Sequence, residues 1–105
     1  MLPEIAEWWR YSRASREQFV QAVQFIPDEF IARRPAEGAP SALEIALHVC
    51  NADRVYCRMI LEGKREIERI TRDQCPDKET LLRWIDRVHG ECEAALDQIT
   101  PEMLA

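Results

Sequence analysis

His48 is the side chain in this sequence best suited to metal chemistry. It lies in an apolar segment at the spacing Ile45, His48, Ala52 and Val55, which places side chains on one face of a helix. A buried imidazole must satisfy two ring nitrogens, one of them by a metal or a partner acid. The spacing predicts that His48 faces a bundle interior, where it could act as a metal ligand. The plainer interpretation is a core histidine bonded to a carboxylate or a carbonyl.

Three other side chains extend this metal hypothesis. His89 and Cys92 are three residues apart on a predicted helix, and with His48 they would make three ligands plus an open position, as in catalytic zinc sites. Cys92 also falls on the apolar seam of that helix, so core packing is the alternative. Asp53 follows His48 by five residues, roughly 140° around a helix. Asp53 is therefore expected to be an outer partner of the site or the inter-helix partner of an arginine.

Three long helices are predicted to position these residues, over about 4–26, 42–62 and 77–99 of one 105-residue domain. Pro3 and Pro27 bound the first helix. Ser41 and Glu44 form a capping box at the start of the second, and Gly63 ends it. The second helix has little polar surface, which predicts a central place in a bundle. No strand pattern is present, so the predicted class is all-α.

The connections between these helices are also predicted. The segment PDEFIARRP should form one short helical turn that tucks Phe30 and Ile31 inward. The charged segment KREIERITRDQ is the expected crossover between the second and third long helices. After it, apolar positions of the third helix alternate by four and three, the spacing of a bundle seam.

Charge and cysteine content exclude several classes of function. The net charge is −5 and the basic residues are scattered among acids, so neither nucleic acid nor an anionic membrane surface is an expected partner. The N-terminal segment has no apolar signal-peptide core, and no stretch is long and apolar enough to cross a bilayer. We therefore expect a cytoplasmic protein whose four cysteines are free thiols.

Several segments form a recognisable pattern: WWRYSR and the IPDEF turn of the first helix region, the proline-rich loop into SALEIALHVCNADR, and the closing ITPEML. With these segments the chain resembles the DinB/YfiT-like family of metalloenzymes. The most specific piece of the resemblance is the segment from Ser41 to His48, in which a capped second helix carries a central His. Asp53 then matches an acid that follows a few residues later in the family.

This resemblance implies a four-helix bundle with a long crossover and a divalent metal, nickel or zinc, held by three histidines. The His of the second helix, here His48, supplies one ligand, and an HxxxH pair on the fourth helix supplies the others. The present sequence has two His, no HxxxH and no fourth helix, so the site is expected to be incomplete. We expect either a chain truncated after Ala105 or a natural short form that completes its bundle with a second copy.

Two functions from different classes remain open at this stage. The first is a divalent-metal-dependent hydrolase or thiol-dependent transferase acting on a small-molecule substrate, or the N-terminal part of such an enzyme. The second is a non-catalytic helical-bundle module that forms a homodimer and binds no metal. A metal-free small-molecule sensor that uses the bundle interior is a third interpretation.

Overall fold

The computed structural model describes residues 1–104, and all of its secondary-structure elements are helices. The helices are α1 (Pro3–Phe25), a single turn α2 (Asp28–Ile31), α3 (Ala42–Glu62) and α4 (Lys78–Asp97), with 3-10 turns at Arg72–Gln74 and Pro101–Leu104. Residues 1–104 contain no strand. The predicted all-α class with three long helices is confirmed. No helix within this part of the chain combines the length and the apolarity that a membrane crossing needs.

The helix ends follow the local signals in the sequence. The Ser41 hydroxyl accepts from the Glu44 amide at 3.1 Å and the Glu44 carboxylate accepts from the Ser41 amide at 3.2 Å, which is the predicted capping box. Gly63 ends α3 at φ +67°, a left-handed conformation that other residues rarely adopt. The third long helix ends at Asp97, two residues earlier than predicted.

One prediction for the α1–α3 connection was wrong. Ile31 is buried as expected, but Phe30 is 46% exposed. Because α2 is a single turn, consecutive side chains point in different directions and only one of the two reaches the core. The Phe30 ring instead lies under the Arg33 guanidinium, 4.8 Å from the ring centroid.

The three long helices run up, down and down. Lys78, the first residue of α4, donates to the Gln24 and Ile26 carbonyls at the end of α1, at 2.7 and 2.8 Å, so α1 and α4 are antiparallel. Contacts between α3 and α4 advance in the same direction along both helices, since Arg54 binds Glu91 at 2.9 Å and Cys57 lies beside Cys92. The helices α3 and α4 are therefore parallel. Parallel neighbours require a long connection, which is the crossover 63–77.

The core lies where α1 and α3 pack on α4. Its buried side chains come from all three long helices, the α2 turn and the crossover, and the largest fully buried ones are Ile31, Leu43, Cys75, Leu81 and Val88. The packing of α3 on α4 is more extensive than that of α1 on α4, and direct contact between α1 and α3 is sparse. The helix α4 is therefore the shared support of the bundle.

The crossover is fastened to α3 by one buried side chain. Asn51 donates from Nδ2 to the Ile70 carbonyl at 3.1 Å and accepts at Oδ1 from the Ile70 amide at 2.9 Å. Both residues are buried, so the amide group satisfies backbone atoms that water does not reach. Arg54 adds a second tie, because it binds the Glu68 carbonyl at 3.0 Å as well as the Glu91 carboxylate.

Replacing Asn51 by Ala should loosen this crossover. The change leaves the buried N–H and C=O of Ile70 without partners, and we expect the free energy of unfolding to fall by about 2–3 kcal/mol. Urea denaturation followed by circular dichroism measures the loss. Arg58→Ala is the control, because it removes only an exposed pair with Glu62 within α3 and should change stability by less than about 0.5 kcal/mol. Equal losses in the two variants would contradict this account of the crossover.

Candidate functional site

His48 lies on the surface of α3, which corrects the prediction that it faces the interior. The buried positions of α3 are Leu43, Ala46, Leu47, Cys50 and Asn51, and His48 lies outside that stripe. The apolar spacing misled because α3 carries apolar side chains on two faces, and the face with Ile45 and His48 is the exposed one. The imidazole is therefore accessible to solvent and to any group that packs on this side.

The other two predicted ligands have different surroundings. The His89 ring is stacked on Trp9, with centroids 4.8 Å apart and planes tilted by 33°. Burial lowers the pKa of His89, and the nearby charges of Arg16 and Arg13 lower it further. Its imidazole is thus biased toward the neutral form, which is the form that binds metals. Cys92 is buried against Cys57.

The three candidate ligands do not come together in one site. Among residues 1–104, no group of three or more His, Cys, Asp or Glu side chains is arranged to hold a metal ion. The side chains of a single chain therefore do not fit the three-ligand centre that the family resemblance implies. The ligand roles of His48, His89 and Cys92 stay predictions.

An exposed apolar surface runs along α1 and α3, and we call it the open face. Its side chains recur on α3 at helical spacing and continue onto the start of α1; they are Trp8, Ile45, Val49, Tyr56, Met59 and Ile60. Tyr56 is 63% and Trp8 60% exposed. This finding departs from the predicted central place of α3, since one of its two apolar faces is covered by α4 and the other is uncovered in the part of the chain described.

A groove crosses the open face between α1 and α3. Its larger part, about 390 Å³, is lined by Trp8, Tyr56 and Ile60 at the rim and by Cys57 and Cys92 deeper in. A smaller part of about 240 Å³ continues beside Phe19 and Val49. Both parts have mostly apolar walls, so an apolar side chain or small molecule that enters would be transferred favourably out of water.

One ion pair stands at the centre of the groove. Arg16 of α1 donates from Nη1 to Oδ2 of Asp53 on α3 at 2.7 Å, and both side chains are only 20–24% exposed. The predicted inter-helix arginine partner of Asp53 is therefore Arg16. The Arg16 guanidinium also lies 5.6 Å from the Trp9 ring. Because α1 and α3 make few other contacts, this pair is the main direct link between them.

A pair of thiols lies beneath the groove, and the sequence did not reveal it. The Sγ atoms of Cys57 on α3 and Cys92 on α4 are 3.3 Å apart, within hydrogen-bond distance for sulfur. That hydrogen bond holds the pKa of Cys57 below its ordinary value and raises the pKa of Cys92, which burial raises further. The two cysteines are 35 residues apart, and only the parallel register of α3 and α4 brings them together.

Comparison with known proteins supports one assignment. A family model described as the DinB superfamily matches residues 12–105, which is most of the chain. The match includes Ser41, His48 and Asp53, whereas WWRY of the first helix lies before its start. No curated protein and no solved structure matches the chain.

Removing one partner of the Arg16–Asp53 pair should lower the free energy of unfolding more than removing both partners. We expect Asp53→Leu to lower the free energy of unfolding by about 2 kcal/mol, because the half-buried Arg16 then lacks a counter-charge. The double variant Arg16→Met/Asp53→Leu should recover most of that loss. Urea denaturation of the wild type, both single variants and the double variant measures the coupling. A double variant less stable than Asp53→Leu would contradict this role.

Proposed function

The chain belongs to the DinB superfamily, and we propose that it works as a homodimeric helical-bundle module in which a second copy covers the open face. The observation that carries the proposal is the second apolar stripe of α3. Ile45, Val49, Tyr56 and Ile60 are each more than a third exposed. A contiguous apolar surface of this kind typically marks an interaction site.

The charges on the open face favour a second copy as the partner. The chain carries a net charge of −5, so most of its surface would repel an identical chain. Asp53 lies between Val49 and Tyr56 along α3, and Arg16 neutralises it. A two-fold contact brings the same patch of both chains together. An apolar patch without net charge meets its own copy without like-charge repulsion.

Oligomeric state tests this proposal directly. At high micromolar concentration, sedimentation velocity should give a dimer, twice the chain mass of 12.3 kDa. The variant Val49→Glu/Tyr56→Glu places two charges on the open face of each chain and should shift the protein to monomer with its helicity retained.

Phe25→Glu is the matched control for this experiment. Phe25 is also an exposed aromatic residue, at 87%, but it lies at the end of α1, outside the open face. This variant should remain dimeric. A wild type that is monomeric at high micromolar concentration, or a control that dissociates as readily as the double variant, would contradict the proposal.

A second candidate function is supported by the exposure of His48. This function is the divalent-metal-dependent hydrolase or thiol-dependent transferase of the DinB-like class, acting on a small-molecule substrate. His48 lies beside Ile45 and Val49 at the edge of the open face, where its imidazole is accessible. It is one donor, and the further ligands of a zinc or nickel ion would come from a helix that packs there. Asp53 follows His48 by five residues on α3 and would be an outer partner of such a site.

Metal content separates the two candidates. In the metal-dependent case, protein purified without a His tag should contain near-stoichiometric zinc or nickel by elemental analysis, and His48→Ala should lose it. His89→Ala should keep the metal if the other ligands come from a packed helix, and lose it if His89 and Cys92 take part. A wild-type protein without bound metal would leave the metal-free dimer as the function.

A further inference from the structure

The cysteine pair beneath the groove differs from the other two thiols of the chain. The Sγ atoms of Cys57 and Cys92 lie 3.3 Å apart. Cys50 and Cys75 are both buried, and neither has a thiol partner among the hydrogen bonds of the described residues. The helices that carry the pair are held in register on either side of it, by the Arg54–Glu91 ion pair and by the core residue Leu96.

Small molecules can reach this pair. Cys57 and Cys92 line the groove of about 390 Å³ on the open face. They also line a second depression of about 490 Å³ on the other side of α3, whose rim includes Arg54, Arg58 and Arg87. Cys57 is half-buried, whereas Cys92 is almost fully buried. Cys57 is therefore the more accessible of the two thiols, and a reagent in either depression reaches it first.

We propose that Cys57 and Cys92 form a reactive dithiol, which a low-molecular-weight disulfide oxidises reversibly to an intramolecular disulfide between α3 and α4. The proposed dimer does not involve this pair, and the metal hypothesis involves only Cys92, as a ligand rather than as a redox thiol. A disulfide bond is about 2.05 Å long, so the two sulfurs need to approach by about 1.3 Å from their positions here. The proposed bond requires rotation of the two side chains to supply this movement.

The exchange proceeds through two displacements. Cys57 loses its proton to solvent, and its thiolate attacks one sulfur of the reagent RSSR, forming the Cys57–SR mixed disulfide and releasing RS⁻. Cys92 then loses its proton and attacks Sγ of Cys57, which releases the second RS⁻. Each RS⁻ takes up a proton. In total, two electrons pass from the dithiol to the reagent, which becomes two RSH.

Tryptic digestion identifies the bond without ambiguity, because each cysteine falls in a different peptide. Cys57 lies in residues 55–58, Cys92 in 88–105, Cys50 in 34–54 and Cys75 in 73–78. After native protein is incubated with oxidised glutathione and alkylated, mass spectrometry should find 55–58 linked to 88–105. The linked chain should be lighter by two hydrogen atoms, and reduced glutathione should reverse the change.

Variants and thermal unfolding complete the test. Cys50→Ala/Cys75→Ala retains only the proposed pair and should form the same bond. Cys92→Ala should stop at the mixed disulfide on Cys57. Oxidation of the wild type should raise Tm by about 15 °C, because a cross-link over this sequence separation restricts the unfolded chain. Four thiols that stay reduced in native wild type, a lasting wild-type mixed disulfide, or a different linked pair would overturn the proposal.

Discussion

The structure depends on α3, a helix with two apolar faces, of which α4 and the crossover cover only one within residues 1–104. Leu43, Leu47 and Cys50 of α3 are buried against α4 and the crossover, while Ile45, Val49 and Tyr56 point the other way. Burial of the first face fixes α3 on α4 and determines the bundle. The second face is then exposed as a consequence, and both the groove and the accessible His48 follow from it.

Few direct contacts connect α1 and α3, the two helices that form the sides of the groove. The helix α1 is anchored on α4 by Trp9 against His89 in the middle and by Lys78 at its end. Toward α3 it offers mainly Arg16, and an ion pair with one-fifth of each side chain exposed contributes less than apolar packing of the same area. The width of the groove is therefore determined mainly by how α1 and α3 each pack on α4. The Arg16–Asp53 contact orients α1 relative to α3 but contributes little to stability.

The sequence predicted local structure well because its signals were local. The capping box of Ser41 and Glu44, the stop at Gly63 and the buried seam of α4 all depend on residues a few positions apart. The sequence predicted the candidate site less well, because the direction in which a helical side chain points depends on tertiary packing. Two apolar stripes on α3 made His48 equally compatible with the inside and the outside, and nothing in the spacing chose between them. The Cys57–Cys92 pair required the parallel register of two helices, which one sequence does not encode visibly.

The up, down, down order of the long helices also leaves the bundle with a net helix dipole along its length. At one end the N-termini of α3 and α4 lie beside the C-terminus of α1, where Lys78 binds the last carbonyls of α1. Each N-terminus carries about half a positive charge and each C-terminus about half a negative one, so one helix dipole is uncompensated. A helix that packs on the open face with the direction of α1 would cancel it. The helix dipoles of the bundle thus favour a helix that runs in the direction of α1 on the open face.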